Sequence, residues 1–316
     1  MYKYIILMML FIQKSYACDF CGCSPSVMSS DLSNLQPQTS VSTTTSYKKY
    51  HYLKSDVGLQ QTHIVAQQIS ISYAPKNWVE LRTTLPLVFM QNNYATVAEK
   101  KFGIGDMNIF ASFKAWSKSP LKHKRKLGQQ LNFGVGVELP TGKNIQSLQE
   151  ISQQFMFGSK SVDVLFSAIY SLSIKKFGFI TSGFVKVNTP NKSEIRYGNN
   201  FVFQLIGNYS ANTKRCMLMP NIGVKVDYTQ KNIYRHIIQS KSGGYALYAT
   251  YGLDIMVKNW NFSGRFEHAF VQHIANNSLK EKASVMVKVG YVFKQKTKIK
   301  KVEEVSTNIS SQALTK

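Results

Sequence analysis

The feature that most restricts the fold of this chain is a strict alternation of apolar and polar residues in Leu127–Lys143, LGQQLNFGVGVELPTGK. From Leu131 to Leu139 every second residue is apolar, and the residues between are Asn, Gly and Glu. A period of two indicates a β-strand with one apolar and one polar face. The polar face carries small side chains where a soluble core would need bulky ones. The turn residues Pro140-Thr141-Gly142 then end the strand. The strand is about ten residues long, which is the length that a transmembrane β-strand needs.

The same alternation recurs along the chain, and with its weaker segments it predicts about twelve strands, an even number as in bacterial outer-membrane barrels. Connections after even strands are mostly short and those after odd strands mostly longer, as expected for periplasmic turns and extracellular loops. The sequence therefore predicts an all-β fold, a transmembrane antiparallel up-and-down β-barrel. The clearest segments are Val79–Leu87, Asp106–Trp116, Val162–Ile174, Met217–Tyr228, Tyr245–Val257 and Ala283–Phe293.

Loop length and tryptophan placement predict the orientation of this barrel. Met90–Gly105, Pro140–Ser161 and Thr229–Gly243 are long connections and are predicted to be extracellular. With an even number of strands, both termini are then periplasmic. A soluble β-sandwich also alternates, but it gives no reason to separate long from short connections. The predicted periplasmic aromatic girdle comprises all three tryptophans, which lie beside short turns, and three tyrosines: Trp78, Trp116, Trp260, Tyr73, Tyr170 and Tyr209.

The first residues indicate export. Lys3 precedes the short apolar run YIILMMLFI, and Ser15-Tyr16-Ala17 fits a cleavage site before Cys18. This pattern is typical of a secretory signal peptide and is too short for a membrane helix. Its removal lowers the net charge of +23 by two, to +21. Such a charge attracts anionic lipid, polyanions or nucleic acid, but no nucleic-acid motif occurs, so we expect outer-membrane lipid and no nucleic acid as a partner.

These observations divide the chain into four parts. Residues 1–17 are the predicted signal peptide, and residues 18–39 are a periplasmic N-terminal segment that contains cysteines. Residues 40–293 form the predicted barrel in the cell outer membrane. Residues 294–316 are a basic tail, predicted to be disordered in the periplasm.

Charged residues on the polar parity of the strands are predicted to line the lumen. Charges at membrane depth are tolerated only on a wet or paired face, so their parity supports the barrel. They can form a salt-bridged interior, a polar conduit that selects solutes, or both. The candidates are Glu80, Arg82, Asp106, Lys114, Glu138, Asp163, Lys225, Asp227, Asp254, Arg265, Glu267 and Lys288.

Three cysteines, Cys18, Cys21 and Cys23, form a C-x-x-C-x-C motif at the predicted mature N-terminus. Three neighbouring thiols can bind a soft metal such as Cu(I) or Zn(II). In an oxidising compartment they can instead form one disulfide and leave one thiol over. Lipidation of Cys18 is a third interpretation, although Ser15-Tyr16-Ala17 is a poor lipobox. Cys216 stands alone and is predicted to be structural.

No catalytic motif is apparent. The six histidines are scattered, and neither H-E-x-x-H nor G-x-S-x-G occurs. Because no nucleophile, base and orienting group can be assembled, we predict that the chain is not an enzyme and needs no cofactor beyond a metal at the cysteines.

Four segments resemble a known family, the outer-membrane transporters grouped with the meta-pathway of phenol degradation. The similarity covers most of the mature chain and is greatest to Bacteroidetes-type members, whose mature chain opens with a CDxCGCS-like segment. It implies a barrel and a transport role. The tail beyond Phe293 departs from the family's usual ending at a terminal aromatic residue. The segments are GIGDMNIFASFK (Gly103–Lys114), LNFGVGVELPTGK (Leu131–Lys143), YGNNF (Tyr197–Phe201) and GGYALYATYGLDI (Gly243–Ile255).

Two functions remain as hypotheses. The first is an outer-membrane channel or transporter for small solutes, with hydrophobic or aromatic compounds among the candidates. The alternative is a barrel-anchored periplasmic protein that binds copper, or interacts with a periplasmic metal-handling partner, through the CxxCxC segment.

Overall fold

The computed structural model describes residues 36–53, 59–118, 127–142 and 157–293. None of these residues belongs to a helix with the length and hydrophobicity that a bilayer crossing requires. They form seventeen β-strands. In chain order these are β1 (Ser40–Tyr52), β2 (Leu59–Lys76), β3 (Val79–Tyr94), β4 (Ala98–Ile104), β5 (Met107–Lys118), β6 (Leu127–Leu139), β7 (Asp163–Ile174), β8 (Phe177–Val187), β9 (Ile195–Arg196), β10 (Asn200–Tyr209), β11 (Ala211–Asn212), β12 (Met217–Thr229), β13 (Ile233–Tyr234), β14 (Ile237–Ile238), β15 (Gly244–Val257), β16 (Trp260–Ile274) and β17 (Leu279–Val292).

Twelve of the strands close into one antiparallel barrel. Their order is β10-β8-β7-β6-β5-β3-β2-β1-β17-β16-β15-β12, and β12 returns to β10 to complete the ring. The first and last strands pair along their whole length, from Ser40 opposite Val292 to Tyr52 opposite Leu279. Strand β4 pairs with the outer half of β3 and continues the line of β5. The prediction of an all-β, twelve-stranded antiparallel up-and-down barrel is confirmed.

The alternation of the sequence becomes the two faces of the barrel wall. In β6 the side chains of Phe133, Val135 and Val137 are exposed on the outside, whereas Gln130 and Asn132 are buried on the inside. The other barrel strands follow the same rule. An outer surface of large apolar side chains is stable in hydrocarbon and not in water. The wall therefore spans a membrane and keeps its polar face inside.

Small residues on the inner face of β6 accommodate one aromatic ring. A Cβ atom on Gly134 or Gly136 would lie 2.3 or 2.5 Å from ring atoms of Phe110 on the neighbouring β5. The ring of Phe110 thus lies against the wall and packs with Phe184, with 6.4 Å between the ring centroids. This contact explains why the polar parity of β6 carries glycine.

The two ends of the barrel differ. At the turn end, two-residue reversals join β7 to β8 and β15 to β16, and their first residues, Lys175 and Lys258, adopt φ of 54° and 55°. The longest connections, residues 140–162, 188–199 and 230–243, lie at the opposite loop end. Short turns are periplasmic in outer-membrane barrels, so we assign the turn end to the periplasm. All three tryptophans are exposed on the outer surface there, with 46%, 38% and 47% of Trp78, Trp116 and Trp260 accessible.

Two connections at the loop end are shorter than the sequence predicted. Met90–Gly105 was expected to be a loop, but β3 continues to Tyr94 and β4 returns from Ala98, so the true connection is only Ala95–Val97. Between β16 and β17 the connection is likewise reduced to residues 275–278. Strand pairing continues here through sequence that has no regular alternation of apolar and polar residues, although the inner face stays buried.

The longer loops carry short strands of their own. Strands β9, β13 and β14 form a separate three-stranded sheet. They lie in the connections that follow β8 and β12, which the sequence predicted to be irregular. Two-residue strands give no recognisable period, so only their contact with each other reveals them.

Candidate functional site in the barrel lumen

The structure places all twelve predicted lumen residues on the inner side of the wall. Asp106 lies between β4 and β5, and the others lie within barrel strands. Their charges must therefore be balanced inside the barrel. The partly accessible ones are Arg82, Lys114, Asp227 and Glu267, and the buried ones are Glu80, Asp106, Glu138, Asp163, Lys225, Asp254, Arg265 and Lys288.

A first group of charges links β6, β7 and β8. The Nζ of Lys186 lies 2.6 Å from Glu138 Oε1 and 3.6 Å from Asp163 Oδ2. The backbone amide of Thr189 donates a further hydrogen bond to Asp163 Oδ1 at 2.9 Å. The neighbouring carboxylates of Glu138 and Asp163 would repel each other in a confined space, and the positive charge of Lys186 reduces this repulsion. Such a group holds three strands in register.

A second group lies on the opposite part of the wall. The Nζ of Lys225 is 2.5 Å from Glu267 Oε2 and 4.1 Å from the ring centroid of Tyr248. Glu281 Oε2 accepts hydrogen bonds from the hydroxyls of Tyr50 at 2.9 Å and Tyr248 at 3.1 Å. Glu267 is thus paired with a cation, whereas Glu281 is held by two tyrosine hydroxyls, with Lys48 Nζ 3.9 Å away. Tyrosine is part of the inner polar network here.

Smaller groups hold two further inner carboxylates. Asp254 accepts hydrogen bonds from Asn221 Nδ2 at 2.8 Å and from Ser263 Oγ at 2.5 Å. Near the turn end, Arg82 pairs with Glu80 at 2.6 Å. Ion pairs thus compensate part of the inner charge, and neutral donors hold carboxylates such as Asp254.

Several inner polar atoms have no partner among the described residues. They include both amide atoms of Gln204, the hydroxyl of Thr250 and the side-chain oxygens of Asn200 and Asn221. Gln204 is 1% exposed and Thr250 is fully buried. Buried polar groups normally form hydrogen bonds. We call these four side chains, Gln204, Thr250, Asn200 and Asn221, the amide belt. The amide belt retains hydrogen-bonding capacity that the protein wall does not use.

A cluster of buried, mostly apolar side chains lies on the inner face towards the loop end, with buried polar residues such as Thr62, Asn92 and Glu281 among them. Its members are each 8% exposed or less and pack against one another, so they narrow this part of the lumen. We call the set the apolar collar. It consists of Tyr50, Tyr52, Ile64, Ala66, Val88, Met90, Phe157, Ala246, Tyr248, Ile274, Ala275 and Leu279.

Phe157 is the member of the collar that comes from a loop. Its ring lies against β4, where a Cβ atom on Gly103 would be 2.3 Å from Phe157 Cδ2. The loop is held by Asp106, whose carboxylate accepts hydrogen bonds from the amide of Gly142 at 2.8 Å and from the amide and hydroxyl of Ser159 at 2.6 and 2.8 Å. Asp106 thus fastens both ends of the loop and seats Phe157 in the collar.

A cavity of about 410 Å³ opens at the turn end. The side chain of Gln36 extends into it, donating to Gln130 Oε1 at 2.5 Å and accepting from Lys114 Nζ at 2.9 Å. The backbone amide of Gln38 donates to Glu80. The cavity combines amide and hydroxyl groups with apolar side chains that include Ile180, Met219 and Met256. It suits a solute with one polar and one apolar part.

The cysteine predictions remain untested. Cys18, Cys21 and Cys23 lie outside the described residues, within which no group of three His, Cys, Asp or Glu is arranged to hold a metal ion. Cys216 directly precedes β12, and its sulfur lies 3.1 Å from the hydroxyl oxygen of Thr213.

Sequence reasoning missed part of this site. Lys186, on the inner parity of β8, was overlooked although the alternation of that strand could have found it. Tyr50 could likewise have been assigned from the parity of β1. Glu281 was placed in a loop because the start of β17 was set too late. For Phe157 no local signal exists, since a loop residue acquires its position only through Asp106.

Solved structures with this architecture are outer-membrane proteins. The COG4313 outer membrane channel from Pseudomonas putida F1 aligns with a TM-score of 0.60 at 14% identity, over 83% of this chain and 99% of that chain. The β domain of the Bordetella autotransporter BrkA aligns with a TM-score of 0.48 at 10% identity, over 81% of this chain and 100% of that one. No curated protein matches the chain.

The shared architecture and the lipid-facing outer surface establish an outer-membrane β-barrel whose fold is similar to that of the COG4313 channel. The model of one protein family, described as "Putative MetA-pathway of phenol degradation", matches residues 28–232. This match spans β1 to β12 and includes Asp106, Gly134 and Gly136, whose contacts shape the inner wall. The chain therefore belongs to the family of the MetA-pathway of phenol degradation, as the sequence resemblance predicted.

Proposed function

We propose that this barrel passes small amphipathic organic solutes, aromatic compounds among them, across the outer membrane. The observation that carries the proposal is the order of surfaces along the lumen. A mixed polar and apolar cavity lies at the turn end, the amide belt extends along the wall at β10, β12 and β15, and the apolar collar lies towards the loop end. A solute with an aromatic body and one or two polar groups can find a partner at each level.

The collar argues against hydrated ions and sugars as preferred solutes. A narrow apolar section disfavours water and strongly hydrated solutes, as in pores gated by dewetting. Aromatic rings lose less hydration on entry into an apolar section and pack well against other aromatic rings. The family's link to phenol degradation supports the same solute class. The paired inner charges serve pore stability in this proposal, so the prediction of no enzymatic activity is retained.

Uptake into proteoliposomes tests this proposal. Phenols themselves cross bilayers, so the solutes should be anions that do not: 4-hydroxybenzoate and gluconate, which differ mainly in their apolar surface. We expect 4-hydroxybenzoate to enter faster, and the rate of gluconate entry to rise more than that of 4-hydroxybenzoate in Phe157→Ala. Faster entry of gluconate into wild-type vesicles would refute the proposal, as would entry of neither solute.

A further inference from the structure

The turn end of the barrel is strongly and uniformly basic. Each of its five turns carries at least one Lys or Arg, and their described residues include no carboxylate. Residues 119–126 of the second turn lie outside the described residues, but their sequence, SPLKHKRK, is also basic. The turns thus form a ring of positive charge, made of Lys76, Lys118, Lys175-Lys176, Lys214-Arg215 and Lys258.

Three of these lysines are held on the outer surface by aromatic rings. The Nζ of Lys76 lies 5.4 Å from the ring centroid of Trp78, and that of Lys118 lies 5.0 Å from Trp116. Lys176 lies 6.0 Å from the ring of Tyr209. Trp78, Trp116 and Tyr209 are all exposed on the lipid-facing side. These cation–π contacts place the ammonium groups at the rim of the hydrocarbon layer, on its outer side.

The loop end is also rich in Lys and Arg, but it contains carboxylates beside them. Its basic residues include members of ion pairs with neighbouring acids, such as Lys101 with Glu99 at 2.8 Å and Arg235 with Glu194 at 3.0 Å. Cations at the turn end have no carboxylate in their own described turns. Lys118 and Lys175 also line the cavity at the turn end, so an anion can reach the ring from the lumen or from the lipid side.

We infer that the turn-end ring binds the phosphate groups of anionic phospholipids in the periplasmic leaflet. Aromatic side chains settle at the headgroup level of a bilayer, and lysine side chains extend from apolar surface towards phosphate. A Lys–Trp pair at the end of a β-strand therefore contacts both parts of one lipid. The tryptophan ring packs against the acyl chain, and the lysine binds the headgroup phosphate. A basic residue close to an anionic membrane surface contributes about 1 kcal/mol, a preference of roughly fivefold per cation at low salt.

The three tryptophans make this inference directly measurable, because all of them lie at the turn end. Brominated lipids quench tryptophan fluorescence only on contact. The protein is reconstituted in mixtures of brominated and ordinary lipid, once with phosphatidylglycerol and once with phosphatidylcholine, and quenching yields the relative binding of the two headgroups. We expect phosphatidylglycerol to be preferred by about fivefold at low salt, and the preference to disappear at high salt.

Matched variants identify the groups responsible. Lys76→Gln/Lys118→Gln/Lys176→Gln should abolish the preference, whereas the loop-end control Lys100→Gln/Lys192→Gln/Lys280→Gln should retain it. Arginine at the same three turn positions should also retain it. Heat-dependent migration in gels confirms that each variant is folded. Equal quenching by both lipids in the wild-type protein overturns the inference, and so does an unchanged preference in the turn-end glutamine variant.

Discussion

Removing the carboxylate of Asp106 should release the loop that carries Phe157. Asp106 is 3% exposed and is the shared acceptor for the amides of Gly142 and Ser159 and for the Ser159 hydroxyl. Asp106→Ala deletes all three hydrogen bonds without altering a barrel strand. The barrel should therefore remain folded while both ends of the loop are freed.

The size of the effect follows from these contacts. Hydrogen bonds to a charged group contribute about 1.5–3 kcal/mol each. Because the freed amides can bind water once the loop opens, we take the lower value and expect a loss of about 4 kcal/mol, a shift of roughly a thousandfold between closed and open loop. Burial of Phe157 opposes opening by about 2 kcal/mol. Asp106→Asn keeps one acceptor oxygen and should lie between Asp106→Ala and wild type.

Hydrogen exchange and conductance measure this change together. In Asp106→Ala the amides of Gly142 and Ser159 should exchange much faster than in wild type, and planar bilayers should show longer open events. Glu99→Ala, which removes an exposed carboxylate on the adjacent β4, should change neither. If Ser159 exchanges at the wild-type rate in Asp106→Ala, Asp106 does not hold the loop and the reasoning is wrong.

The remaining predictions concern the wall and the cysteines. Val224→Arg and Leu253→Arg, on the lipid-facing surface, should each cost about 2–4 kcal/mol in refolding into vesicles if they lie near the midplane, whereas Ser112→Arg on the inner wall should cost clearly less; equal costs would contradict the assigned faces. Replacing all three N-terminal cysteines by serine should abolish Cu(I) uptake by the reduced protein and leave the barrel folded. If reduced wild-type protein takes up no Cu(I) against a weak chelator, the metal interpretation is wrong and a disulfide is favoured.

Most of the barrel could be predicted because its information is local. A period of two assigns each residue of a strand to one face without knowledge of the neighbouring strand. The lipid-facing positions Phe133 and Val224 and the inner positions Glu138 and Lys225 followed from this parity alone. The number of strands and the end of the barrel that carries the short turns could also be predicted, because turn residues and tryptophans are local signals in the sequence. Errors in the strand boundaries arose at places such as β4, whose sequence has no regular apolar and polar alternation.

The arrangement inside the lumen was not accessible in this way. That Lys186 bridges Glu138 and Asp163 depends on the register of three strands, and that Tyr50 and Tyr248 meet at Glu281 depends on the closure of β1 against β17.

The sequence by itself thus determined the alternating strands, their approximate number and which side of each strand meets lipid, because backbone geometry alone imposes that alternation. Only the tertiary structure decided which inner side chains touch, where the lumen narrows, and that a loop phenylalanine completes the collar. These contacts join residues far apart in the chain, and their distances are set by strand register and barrel closure.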